Sequence, residues 1–206
     1  ADDPWCAWIA GQPWARAARA VAVGEGQPFR WEGQVSLGPR GERFRLRTPQ
    51  GTAEVQLKLC GAHQVRNAAL AGSLAVLAGW PLEAVAQGLG SVEPEAGRGR
   101  LQALRGGGWL LDESYNASPD SVLACTRALL QLEGGEAVAV LGSMRELGPE
   151  APRLHRETGV ALRSAGLRRL WAYGDFAPEL AEGFGRGAQA FPDFDTLAAS
   201  GDGLDA

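Results

Sequence analysis

The chain has 206 residues, 45% of them apolar, which is enough for one large domain or two small ones with cores of their own. A formal net charge of -4 argues against a nucleic-acid surface, and no stretch nears the roughly 18 uninterrupted apolar residues of a membrane helix, so no membrane insertion is expected. Cys6, Cys60 and Cys125 are widely spaced without a C-x-x-C, so they suggest neither a disulfide framework nor a zinc site and read as reduced thiols of a cytoplasmic protein.

Asp2-Asp3-Pro4 opens the chain, with Trp5, Trp8 and Trp14 close behind, and nothing there reads as a signal peptide. From residue 20 to residue 60 the pattern is β. Residues 20–23 predict a short apolar strand, and residues 29–37 alternate loosely around Trp31, Val35 and Leu37. Residues 42–47 set Phe44 and Leu46 opposite Arg43, Arg45 and Arg47, and Thr48-Pro49-Gln50-Gly51 supplies a tight turn into residues 53–59. The arginine row reads as the wet face of a hairpin, since it alternates with Glu42 and faces a strand carrying Glu54. Lys58 is the only lysine among the 20 basic residues, and it falls on the solvated face of the second hairpin strand. No G-x-x-x-x-G-K-[ST] occurs, so the chain carries no P-loop of its own.

An alanine-rich helix is predicted over residues 63–78, stopped by Gly79, and Pro81 starts another with Leu82, Val85, Ala86 and Leu89 on one face. His63 and Asn67, four residues apart, share a face near the start of the first helix. Residues 91–99, S-V-E-P-E-A-G-R-G, read as a link, and the domain boundary is placed there, giving domains 1–94 and 95–206.

The stretch WLLDESYNASPDS, residues 109–121, has the densest chemistry. Trp109-Leu110-Leu111 predicts a buried strand, and Ser118-Pro119 is a helix start with a hydroxyl cap and proline at the first helical position. Asp112, Glu113, Ser114, Tyr115 and Asn116 would then sit at the carboxyl end of a strand, where open α/β sheets bind ligands. Beyond it, helices are predicted over residues 119–130, 152–165 and 176–183, and strands over 137–141, 168–173 and 189–191. Alternating strands and helices predict βαβ units and a doubly wound, Rossmann-like α/β sheet, with no closing element after a final short apolar turn.

D-E-S-Y-N-A-S-P-D-S resembles the opening motif of the C-terminal domain of the Mur ligases. Three further stretches keep that family's order: G-A-H-Q-V-R-N-A-A-L-A at residues 61–71, G-R-L at 99–101 and V-L-G-S-M-R-E-L-G at 140–148. The form S-Y-N-A-x-P-D-S is most similar to the branch that adds D-alanyl-D-alanine to UDP-N-acetylmuramoyl-tripeptide. The resemblance implies an ATP-dependent amide ligase using Mg2+, in which the tripeptide carboxylate takes the γ-phosphate and the dipeptide amine attacks the acyl phosphate.

By the same resemblance residues 1–94 are the end of a P-loop-type central ATP-binding domain and 95–206 most of the C-terminal domain. The family's D-D-P-W follows a central-domain strand, so both ends are expected to be cut within a longer enzyme. Its P-loop, metal-binding glutamate and modified lysine would precede Asp2, and no metal ligand is assigned within the chain. The resemblance gives Asn67 to adenine, Arg100 to the ATP phosphates as the catalytic guanidinium, and Asp112 or Glu113 to the ribose hydroxyls. Relatives carry aspartate twice, so Glu113 is a departure that leaves both acids open. Tyr115, Asn116 and Ser118 are substrate-side candidates, although turn and cap chemistry explains the same residues, and Ser118 replaces the usual asparagine. Ser143 stands where relatives often have aspartate. Glu146 and His155 match family positions with no role assigned, and His155 reads as a surface residue. A sister Mur ligase, a folylpolyglutamate synthase or a non-catalytic Rossmann-like nucleotide-binding module would share much of this pattern. A monomer is expected.

Overall fold

The computed structural model describes residues 8–9, 11–13, 21–132 and 136–200. The chain divides into two compact units, Ala1–Glu93 and Pro94–Ala206.

In the first unit, strands β1 (Arg30–Ser36), β2 (Glu42–Thr48) and β3 (Gly51–Leu57) form an antiparallel sheet in that order. The β2–β3 register pairs Thr48 with Gly51, so the expected turn closes the hairpin, and Phe44, Leu46, Val55 and Leu57 point inward. Arg43, Arg45 and Arg47 are on the exposed face, Arg45 directly opposite Glu54 and Arg47 paired with Glu32. Glu42 does not join that wet row. Period-two alternation puts it with Phe44 and Leu46, and it is only 1% exposed. The loose alternation of β1 reflects a register irregularity between Glu32 and Val35.

Helices α1 (Ala62–Leu77) and α2 (Leu82–Ser91) cover the sheet, and Val65, Ala69, Val76, Leu82 and Val85 complete a core with Phe29 and the inward hairpin residues. Residues 21–23 form no strand; Val23 makes an isolated bridge to Phe29, and Ala20 lies outside the described residues. So do Asp2, Trp5, Cys6 and Trp14. Lys58 follows β3 and is ion-paired with Glu93.

The second unit opens with β4 (Arg100–Ala103) and β5 (Trp109–Asp112), an antiparallel pair turned by the glycines after Arg105. Helix α3 (Pro119–Leu130) leads to β6 (Val138–Gly142), α4 (Ala151–Ser164), β7 (Arg169–Tyr173), α5 (Ala177–Phe184) and β8 (Ala188–Phe191). Strands β6, β7 and β8 are parallel and adjacent in that order, the βαβαβ arrangement of a Rossmann-like fold. Leu162, Leu167, Leu170, Ala172, Leu180 and Phe184 fill its core.

Two expectations change here. Trp109-Leu110-Leu111 is a strand but not a buried one: β5 pairs with β4 among the described residues, and Trp109 and Leu110 are exposed. Only its far end, at Leu111 and Asp112, is half-buried. The apolar turn after β8 is in fact a short helix, α6 (Phe194–Ala199), capped by Asp193, whose carboxylate accepts from the Thr196 amide at 2.7 Å.

Helices α4 and α5 cross at glycine. A Cβ on Gly159 would overlap the Leu180 carbonyl and the Phe184 amide, and one on Gly183 would overlap the Arg156 carbonyl. Backbone therefore meets backbone at this crossing.

Candidate functional site

The two arms of the β4–β5 pair bring Arg100 and Asp112 directly opposite each other, so their side chains share a face. The link before β4 is clasped to the loop after β5. Gly99 N–H donates to the Asp112 carbonyl at 2.9 Å, and Tyr115 N–H donates to the Gly97 carbonyl at 3.1 Å. The Asp112 carboxylate closes this clasp: Oδ2 accepts from Gly97 N–H at 2.9 Å, and Oδ1 accepts from Ser114 N–H at 3.1 Å and Ser114 Oγ at 2.7 Å. The Ser114 hydroxyl, then the Gly97 amide, hold its pKa below the usual carboxylate range, and Arg100 adds to the effect.

Glu113 is placed differently. It is half-buried against α3, where the Cys125 thiol lies within 4.8 Å of its carboxylate. Burial raises its pKa, the thiol lowers it, and among nearby charges Asp112 raises it while Arg98 lowers it. The same burial, with Glu113 beside it, pushes the Cys125 thiol up to about 12. Two adjacent acids thus differ: Asp112 has both oxygens engaged by the clasp, whereas Glu113 meets a single weak donor.

Tyr115 is 68% exposed, and the Arg98 guanidinium lies 3.7 Å from its ring centroid. Arg98 is therefore part of this loop; an arginine two residues from the strand carries no sequence signal of which ring it covers. Asn116 is exposed and turns its Oδ1 to the Ala117 amide at 2.9 Å. Ser118 caps α3: its Oγ accepts from Ser121 N–H, and Ser121 Oγ accepts in return from Ser118 N–H. That hydroxyl is committed to the helix.

Asn67 belongs to the other unit, exposed on α1, where its Nδ2 donates to Gln64 Oε1 at 3.5 Å. His63 does not cap α1, whose N-cap is Gly61 with no side-chain cap. The Gly61 amide is instead taken by buried Glu42 at 2.9 Å. Burial lowers the pKa of His63, and Glu42 opposes that shift.

At the carboxyl end of the parallel sheet lies the V-L-G-S-M-R-E-L-G motif. Ser143 Oγ accepts from Phe176 N–H at 2.9 Å, tying the loop after β6 to the loop after β7. His155 is fully buried rather than superficial. Its Nε2 accepts from Met144 N–H at 2.8 Å, which puts the proton on Nδ1, and Nδ1 donates to the Ala151 carbonyl at 2.7 Å. Helical spacing from Arg153, Arg156 and Glu157 suggested a wet face, but His155 lies on the opposite side, over the loop.

Comparison with known proteins places this geometry. Residues 99–201 match the family described as Mur ligase, glutamate ligase domain. The UDP-N-acetylmuramoyl-tripeptide--D-alanyl-D-alanine ligase of Escherichia coli K12 is 35% identical over 140 residues, 68% of this chain and 31% of that protein. The ligase of the same name from Mycobacterium bovis is 40% identical over 167 residues, 77% of this chain and 32% of that protein. A crystal structure of MurF from Acinetobacter baumannii superposes with a TM-score of 0.77 at 33% identity, covering 83% of this chain and 37% of that one. The chain thus spans about a third of the length of the curated relatives it matches. Motif order, the parallel βαβαβ sheet and the match over residues 99–201 agree, and the chain belongs to the Mur ligase family.

Proposed function

We infer that this chain serves an ATP-dependent ligase that adds D-alanyl-D-alanine to UDP-N-acetylmuramoyl-tripeptide in peptidoglycan precursor synthesis, in the cytoplasm. The observation that carries the reading is the 35–40% identity to ligases of that name, spread over both compact units. Residues 1–94 are read as the end of the central ATP-binding domain and 95–206 as the C-terminal ligase domain. No helix among the described residues is long and apolar enough to cross a membrane.

The donor set fits part of a nucleotide. Arg100, exposed at the start of β4, offers a permanently charged fork for phosphate oxygens. Glu113 is the better ribose acceptor, because the oxygens of Asp112 already hold the clasp. Asn67 is assigned to adenine. Tyr115 and Asn116 remain the substrate-side residues, whereas Ser118 serves the helix. ATP supplies the phosphoryl group that activates the carboxylate, and Mg2+ screens its phosphates. Lys58, paired with Glu93, is no phosphate lysine.

The test is a phosphate-release and ligation assay on the complete encoded protein with ATP, Mg2+, the UDP-tripeptide and D-alanyl-D-alanine. Arg100→Ala should lower kcat by about 100-fold and move KM less, since the guanidinium matters most as charge develops in transfer. Glu113→Gln should raise KM for ATP by about tenfold or more, the loss of a hydrogen bond to a charged group. Unchanged turnover in Arg100→Ala removes that residue from the site; absence of ligation by the unsubstituted protein removes the reading.

A further inference from the structure

The loop after β6 is built with more care than a connection requires. Met144 is buried, and its amide is held by His155 from α4. Phe176, from the loop after β7, stacks on the His155 ring with centroids 4.7 Å apart and gives its own amide to Ser143. Between the anchor at Met144 and the turn at Gly148, Glu146 holds a φ of 63°, the only non-glycine residue with positive φ among those described. A glutamate there is strained, and strain that persists in an over-determined loop marks a place where the side chain is needed. Glycine would relieve it.

What the loop presents are Arg145 and Glu146, both exposed, and among the described residues neither makes an ion pair or a side-chain hydrogen bond. They lie at the carboxyl end of β6, the edge at which open parallel sheets take ligands. Adjacent, opposite and unpaired charges suit a small zwitterion, with the guanidinium on its carboxylate and the carboxylate on its amino end.

We propose that the 143–148 loop binds the two ends of the zwitterionic dipeptide substrate, through Arg145 and Glu146, and that His155 is its positioning residue. This rests on the ligase reading above. His155 touches no substrate. It holds the Met144 amide by a lone pair, and through Phe176 it ties the neighbouring loop, so that both charges are fixed before the dipeptide arrives.

The experiment measures KM for D-alanyl-D-alanine and for ATP separately in the complete encoded protein. His155→Phe keeps the stacking but loses the acceptor; it should raise KM for the dipeptide about tenfold and leave KM for ATP within about twofold. His155→Gln, which can return an acceptor to Met144, should recover most of that loss. Arg145→Ala changes an exposed side chain and should fold normally, with the same selective rise. Replacing the dipeptide carboxylate by its amide should weaken the unsubstituted protein about tenfold and Arg145→Ala no further, the signature of a direct pair. Equal shifts in both KM values, or an unchanged dipeptide KM in Arg145→Ala while the unsubstituted protein ligates, would overturn this proposal alone. No ligation by the unsubstituted protein would remove the ligase reading and the proposal together.

Discussion

Replacing Asp112 by asparagine is a change of one atom that the clasp should register. The carboxylate accepts from Gly97 N–H on one oxygen and from the Ser114 amide and hydroxyl on the other. Asparagine can serve only one side. With its oxygen toward Ser114, its NH2 group faces the Gly97 N–H, donor against donor; flipped, it faces the Ser114 amide. Gly97 is buried, so its orphaned amide cannot turn to water. Leaving a buried donor unsatisfied costs about 1–3 kcal/mol, and because Asp112 is itself half-exposed the lower part of that range applies, about 1–2 kcal/mol. Amide hydrogen exchange at Gly97, read by NMR, should then accelerate roughly 5- to 30-fold in Asp112→Asn. The pH dependence has a definite sign. Because the folded pKa of Asp112 is depressed, its contribution is full above the unfolded value of about 3.9 and is lost as pH falls through the lower folded value. The gap between the two proteins should therefore shrink in acid. Equal exchange at pH 7, or a gap that widens as pH falls, would refute the clasp.

Gly159→Ala should destabilise the second unit by about 1–3 kcal/mol in urea unfolding, since the new methyl meets backbone that cannot rotate aside, less the better helix propensity of alanine. Gly88→Ala in α2, where the methyl meets nothing, should instead stabilise by about 0.5–1 kcal/mol, and loss of stability there would show the helix packing to be misread. Cys125, with its thiol pushed up to about 12, should alkylate at pH 8 on the order of 1000-fold more slowly in the folded chain than in urea. Mass spectrometry of iodoacetamide-treated protein reads this, and equal labelling in both states would place the thiol elsewhere.

Periodicity carried the regular elements well. The β2–β3 hairpin, α3 and the β6–β8 repeat stand where alternation, caps and glycines put them, because each signal there is local. What escaped depended on partners distant in sequence. Glu42 looked like part of a charged row until the Gly61 amide, nineteen residues on, drew it inward. His155 looked superficial because its neighbours are charged, while its own partners lie on a loop eleven residues earlier and on Phe176. The buried strand expected at Trp109 failed because an apolar run reports side-chain chemistry and not the layers around it: Trp109 and Leu110 stay exposed on the two-stranded pair. In the candidate site, the motif marked the two acids but not their division of labour. That division rests on Gly97 and Cys125, neither of which a motif would flag.

The glycine crossing of α4 and α5 has a dynamic consequence. Where the two helices cross, backbone meets backbone with no side chain between them to slide or repack, so relative motion there must break the contact outright. The loops that begin these helices, one after β6 and one after β7, therefore cannot drift separately. Slow breathing of this part of the molecule would be all-or-none, with the amides of both helices opening as one cooperative unit rather than fraying in turn.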